Sequence, residues 1–484
     1  MIDVVKLRSG LREAVDSLNQ APSLLYRPPA FTYVPPSHAR ALELDATLVD
    51  GVRGAGKSFW WAQLASPTNL TFIQKAYPEA RLPQHLRVER GFGTGLPMDT
   101  APSAKVLAEL VATPYQPRSI WRAVIAFHAH IGGEFAQLSQ WSERVQWVQA
   151  HPEAYDGLLE AADLRLESQD ETLLVLFDAL DRMADDREQI NPFAKALLQV
   201  AQEARSTRRI RCKVFVSLEL LQAPAITGFP DYAKLLSGKA TLQWRRADLY
   251  ALLFQCLANS SSGGWNFRDL VLRTCGLTVN QRGDCWVLPT ALRIDEKVQE
   301  VLFSQLAGTV ISSGTQRGKP YTWLINHLQD GLNQVSPRSF FAALKTAVDA
   351  TDEGHAFALD YRGIQLGVKR AAQVRVKEIT EDYPWVKWVM EPLRGRLSLP
   401  CEVKEIEQLW RENGTFDLLE NSLKDEVSAL KFPPQNWTKG SSGVLMDMES
   451  LGLVQRLING RIQMPDVYRV AFGLGRHGGL KPMK

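Results

Sequence analysis

The chain has 484 residues, 45% of them apolar and 23% charged, with a net charge of +3 at pH 7. That length exceeds a single core and suggests about three domains of ~100–200 residues, and a charge this small does not by itself predict binding to nucleic acid. Five cysteines without a C-x-x-C pair predict neither a disulfide frame nor a zinc site; the charged N-terminus and the lack of any run of about 18 apolar residues predict a cytoplasmic protein with no membrane partner.

Residues 1–45 read as a short amphipathic helix followed by a Pro-rich strip, Tyr26 to His38. Tyr33 and His38 in that strip suit either a linker or a contact with a bound base. Over residues 46–247 strands alternate with helices, which implies a largely parallel sheet covered on both faces. The expected strands are Ala46–Asp50, Leu70–Ile73, Leu173–Phe177, Lys213–Ser217 and Ala240–Trp244. The run Gly91-Phe92-Gly93-Thr94-Gly95 reads as a loop and lacks the following Lys and helix of a phosphate site.

The first strand leads into Gly51-Val52-Arg53-Gly54-Ala55-Gly56-Lys57-Ser58, which fits G-x-x-x-x-G-K-[ST], the phosphate-binding P-loop. Phe59-Trp60-Trp61 then opens a helix, so the strand–loop–helix context is present. Glycines let backbone N–H groups converge on a phosphate without Cβ clashes. The expected nucleotide-binding residues are Gly51, Arg53, Gly54, Ala55, Gly56, Lys57, Ser58 and Phe59. Lys57 would neutralise the outer phosphates, and Ser58 would hold Mg²⁺.

A P-loop needs acids for the metal and for the attacking water. Leu173 to Phe177 is a buried-type strand ending at Asp178, with Asp181 one short turn later. Ligands of open α/β sheets bind at that carboxyl edge. Asp178 is read as the metal acid and Asp181 as the water-positioning group; a helix N-cap is the alternative role for either.

Phe177-Asp178-Ala179-Leu180-Asp181-Arg182 resembles the Walker B segment of the KAP and STAND ATPases, relatives of the AAA+ class. AAA+ proteins generally place Glu directly after the Asp, where this chain has Ala179. The resemblance spans roughly residues 45–255. It implies ATP as the nucleotide and a sheet in which an extra strand separates the P-loop and Walker B strands. It also implies a sensor role for Ser217, against a plain strand-terminal serine. Arg338, in Ser336-Pro337-Arg338-Ser339, would reach the γ-phosphate as a second sensor or else make a surface salt bridge. Between Leu218 and Gln243 the only basic residues are Lys234 and Lys239, which argues against an arginine finger of the AAA+ ring type. Bacterial relatives of the KAP and STAND type often act in defence against mobile DNA, but no nuclease or protease motif accompanies the core.

From Asp248 the pattern turns helical. Ser260-Ser261-Ser262-Gly263-Gly264 reads as the most flexible loop, and residues 295–350 and 357–395 as further helices. Helices near Glu402–Glu412, Phe416–Leu430 and Val444–Leu451 precede a strand, Leu453–Ile458, and the hairpin signal Asn459-Gly460. Three helices and a hairpin suggest a winged helix. Its last 48 residues, from Trp437, carry seven Lys/Arg against three Asp/Glu. The third helix has Asp447 and Glu449 but no base, which favours a protein partner or self-packing over DNA.

The expected fold is therefore an α/β P-loop NTPase parallel sheet with a helical lid and a C-terminal winged-helix-like domain. Its parts are a leader (1–45), an ATPase core (46–247), a lid and connector (248–396) and the winged-helix-like domain with a basic tail (397–484). The expected function is an Mg-dependent ATPase acting as a switch or assembly factor, as a homo-oligomer or with a partner protein. A nucleotide-stabilised scaffold and a DNA-directed ATPase are the alternatives.

Overall fold

In the computed structural model, residues 3–19, 27–97, 100–180, 183, 187–221, 223–311, 318–424 and 432–476 are described. Asp181, Arg182 and the tail beyond Arg476 lie outside them. The chain divides into two units, residues 22–243 and residues 1–21 with 244–484. The N-terminal helix thus groups with the C-terminal half, whereas the leader's second part groups with the core.

The core unit holds five parallel strands: β1 (Leu48–Gly51), β2 (Leu86–Phe92), β3 (Thr172–Phe177), β4 (Ile210–Ser217) and β5 (Ala240–Thr241), in the order β2-β3-β4-β1-β5. β4 lies between β1 and β3, as the resemblance implied. All six residues of β3 are buried, as expected of a central strand covered on both faces. Leu173, Val175 and Phe177 alternate onto one face, where they join Val214 and Val216 of β4 and the helical residues Trp121, Ile190 and Leu197 in one apolar cluster.

Two expectations are corrected here. Leu70–Ile73 is not a strand but part of the helix Pro67–Ala76. Ser66 caps that helix by accepting from the Asn69 N–H, and Pro67 occupies its first turn. The second strand is instead Leu86–Phe92, an edge strand whose Arg87, Glu89 and Arg90 carry the charge typical of sheet edges. Gly91 and Phe92, read as loop, end that strand. A Cβ on Gly91 would stand 2.5 Å from the Phe177 ring, and one on Gly93 2.3 Å from the Trp61 ring. These glycines permit close packing.

The second unit comprises the helix Val4–Asn19 and the helices from Arg246–Ala258 to Tyr361–Asp382, followed by a C-terminal module. The expected flexible loop at 260–264 is pinned. Glu13 accepts hydrogen bonds from the backbone N–H and the hydroxyl of both Ser261 and Ser262, at 2.7–3.0 Å. Arg8 donates to the carbonyls of Glu353, His355, Phe357 and Ala358. The short antiparallel hairpin of β6 (Asn280–Arg282) and β7 (Cys285–Val287) was not anticipated.

The C-terminal module begins with β8 (Ser398–Leu399), followed by helices Val403–Glu412, Thr415–Lys424 and Gly440–Ser450. Next come β9 (Gln455–Arg456) and β10 (Ile462–Gln463), which form the wing, its turn closed at Gly460 with φ of 82°. β11 (Gly475–Arg476) pairs in parallel with β8, so the start of the basic tail is part of a sheet. Among the described residues no helix is long and apolar enough to cross a membrane.

Candidate functional site

β1 ends at Gly51, and the chain turns through Val52–Gly56 into the helix Lys57–Leu64. Gly54 and Gly56 adopt φ of 82° and 106°, conformations that side-chain-bearing residues rarely take. Among the described residues a Cβ on Gly56 would meet nothing within 4 Å, whereas one on Gly51 would stand 3.0 Å from Ala55 and 3.2 Å from Leu242. The turn is thus hemmed in below and open at Gly56. Its helix presents the positive end of its dipole there.

Lys57 donates through Nζ to the carbonyls of Gly51 at 2.6 Å and Val52 at 3.2 Å. It bridges the base of the turn. Ser58 and Arg53 are exposed, and Ala55 is buried. Phe59 packs edge-on to Trp60 at 5.0 Å and lies under the Arg27 guanidinium.

Asp178 follows β3 directly, is 4% exposed, and its N–H donates to the Phe92 carbonyl at 3.0 Å. Ala179 after it takes φ of 56°, an uncommon value for a residue with a Cβ. The topology therefore brings Asp178 to the same carboxyl edge as the glycine turn, two strand spacings or about 10 Å across the sheet from β1. Ser217 ends β4 opposite Gly51, and its hydroxyl accepts from the Leu220 N–H at 3.3 Å, capping the following helix. The Arg338 guanidinium forms a salt bridge to Glu378 within the second unit. Asp181 lies outside the described residues.

The structure adds side chains that the motif does not announce. His38 and Tyr33 are buried, at 0% and 1% exposure. The Trp60 indole N–H donates to His38 Nδ1 at 3.0 Å, and His38 Nε2 donates to the Gln243 carbonyl at 3.1 Å. That network assigns the neutral Nε2–H tautomer, and burial pushes the imidazole pKa down to about 3. His38 therefore ties the glycine-turn helix to Gln243, just past β5, and presents no face to a base. On β4, Lys213 is fully buried and donates to the carbonyls of Glu43 and Ala46, and burial pulls its pKa down to about 7.

Asp50, the residue before Gly51, is 0% exposed and pairs with Lys239 at the foot of β5. Neither was a sequence candidate for this site. Lys234 pairs with Asp231 at 2.7 Å, so both lysines between Leu218 and Gln243 are engaged within the core. In the C-terminal module Asp447 turns inward to accept from the N–H and side-chain amide of Asn436, and Glu449 pairs with Arg456 at 3.0 Å.

No family model matches the chain, and no curated protein does. Among solved structures, the ORC2 protein of Aeropyrum pernix, in its ADPNP–ADP complexes, is similar at 14% identity over 91% of this chain and 93% of that one, with a TM-score of 0.40. The ORC1 protein of the same organism, in complex with DNA, is similar at 14% identity over 94% and 88%, with a TM-score of 0.31. Likeness at these scores carries no functional assignment. The functional reading rests on the turn and its surroundings.

Proposed function

We propose that the turn at 51–58 binds the phosphates of ATP, and that the protein is a P-loop ATPase acting as a switch or assembly factor. The observation that supports this best is the pair of left-handed glycines, Gly54 and Gly56. They lead directly into a helix whose first residue is Lys57, at the carboxyl edge of a parallel strand. Loop N–H groups and the helix N-terminus suit an anion. Lys57 would exchange its two carbonyl acceptors for phosphate oxygens. Magnesium, when bound, would neutralise charge between the outer phosphates, and the Ser58 hydroxyl and Asp178 carboxylate are the oxygen donors of suitable chemistry to hold it. Asp181 carries the water-positioning role in this reading. Ser217 is its candidate polar sensor. Catalysis would come from positioning and electrostatics, and nucleotide state would be read out as binding to a partner or to further copies of the chain.

The Lys57→Ala variant is expected to lose turnover by about 10²-fold or more, read as phosphate release. Unchanged turnover would refute the assignment. A second reading, a nucleotide-stabilised scaffold, is favoured by Ala179 at the position where AAA+ proteins carry Glu. Recovery of intact ATP after prolonged incubation with the wild-type protein would select it.

A further inference from the structure

Asp50 places a full negative charge one residue from the phosphate cradle, where it opposes the very ligand that the cradle suits. Its backbone joins Gly51, whose carbonyl holds Lys57. Its side chain is completely buried, and among the described residues its Oδ1 atom has no hydrogen-bond partner. The carboxylate is therefore neutralised through its other oxygen, by Lys239. Lys239 is 29% exposed, so its ammonium links the buried acid to the protein surface. The contact joins β1 to the residue just before β5, and the two strands pair through Val49 with Ala240 and through Asp50 with Thr241.

Resting on the phosphate-loop reading above, we propose that Lys239 and Asp50 are a positioning pair that sets the charge beneath the cradle, and so sets nucleotide affinity. While the pair is closed, the acid is masked and a triphosphate is tolerated. When Lys239 is drawn away, by a shift of the segment before β5 or by an acidic group on a partner, the bare carboxylate repels the polyphosphate and favours release. Low dielectric around a buried charge makes that repulsion large.

The test is nucleotide binding by the full chain, with ATP, ADP and adenosine as probes. Lys239→Met is expected to weaken ATP by about tenfold or more, ADP by less, and adenosine hardly at all. Lys239→Arg should bind nearly as the wild type does. Asp50→Asn, which removes the repelling charge, should bind ATP at least as tightly as the wild type, and adding it to Lys239→Met should recover most of the loss. Should Lys239→Met fail to fold, Asp50→Asn alone decides the matter, since weaker ATP binding by that variant overturns the proposal. Equal losses for all three probes, or no recovery in the double variant, also overturn it, because a merely structural pair would give those results. Failure of the wild type to bind any nucleotide overturns the phosphate-loop reading itself, a result distinct from these.

Discussion

His38 illustrates how a single imidazole carries both structure and pH dependence. It is neutral because it sits in dry surroundings between one donor and one acceptor. The unfolded chain binds a proton near pH 6.5, whereas the folded core resists it down to about 3. Between those values the unfolded state holds more protons, so stability falls as pH drops below 6.5 and stops falling near 3. The full loss from this group is on the order of 4–5 kcal/mol. His128, which burial holds at about 4, adds a loss of the same sign over a narrower window. Thermal unfolding from pH 7 to 4 should show this decline, and His38→Asn should flatten part of it. At this scale the sequence was legible where chemistry is local. Gly54, Gly56, Lys57 and Ser58 announce themselves within eight positions. The Asp50–Lys239 pair joins residues 189 positions apart, and no spacing in a single chain reveals such a contact.

Among the elements, the helix Val4–Asn19 owes its place to two polar anchors and one close approach. Burial alone would raise the Glu13 carboxyl, but the donors of Ser261 and Ser262 outweigh it and hold it below its ordinary range. Glu13→Ala leaves those groups without their acceptor and should cost about 1–3 kcal/mol in chemical denaturation. A Cβ on Gly263 would stand 2.5 Å from the Lys6 carbonyl, so Gly263→Ala should cost about 1–3 kcal/mol through overpacking. In the helix Tyr361–Asp382, buried Arg375 donates to the Tyr468 hydroxyl at 3.2 Å and faces Asp330 and Glu378. Arg375→Met leaves the buried Asp330 without its cation, while Glu378 keeps Arg338, and should cost about 3–5 kcal/mol by the same measurement. Element type was read correctly where apolar patterning was strong, as in β3 and in the helices after Asp248. It failed at Leu70–Ile73, where four residues with apolar ends fit a strand or one helix turn equally well, and the Ser66-Pro67 cap decided the matter. The glycine-rich loop at 260–264 was misjudged because composition records backbone freedom but not the carboxylate that removes it.

For the molecule as a whole, the chain passes from one unit to the other twice, between residues 21 and 22 and between 243 and 244. The core is thus inserted within the sequence of the helical unit. A short amphipathic segment such as the first helix does not say in sequence which distant partner it will cover. A chain starting at residue 22 should lose the anchors of Arg8 and Glu13. Its helical unit should then become more sensitive to proteolysis than that of the intact chain, with cleavage favoured near residues 260–264 and 353–358. Equal protease resistance in the two chains would show those anchors to be dispensable.

The same inserted order bears on synthesis. Leu7, Leu11, Ala14 and Val15 are buried in the finished protein, yet the residues that hold their helix in place, at 261–262 and 353–358, leave the ribosome more than two hundred positions later. At about 5–20 residues per second, that apolar stripe waits on the order of tens of seconds for its mates. During that wait the nascent chain displays a sticky leading end, and a holdase that shields it should raise the yield of native protein.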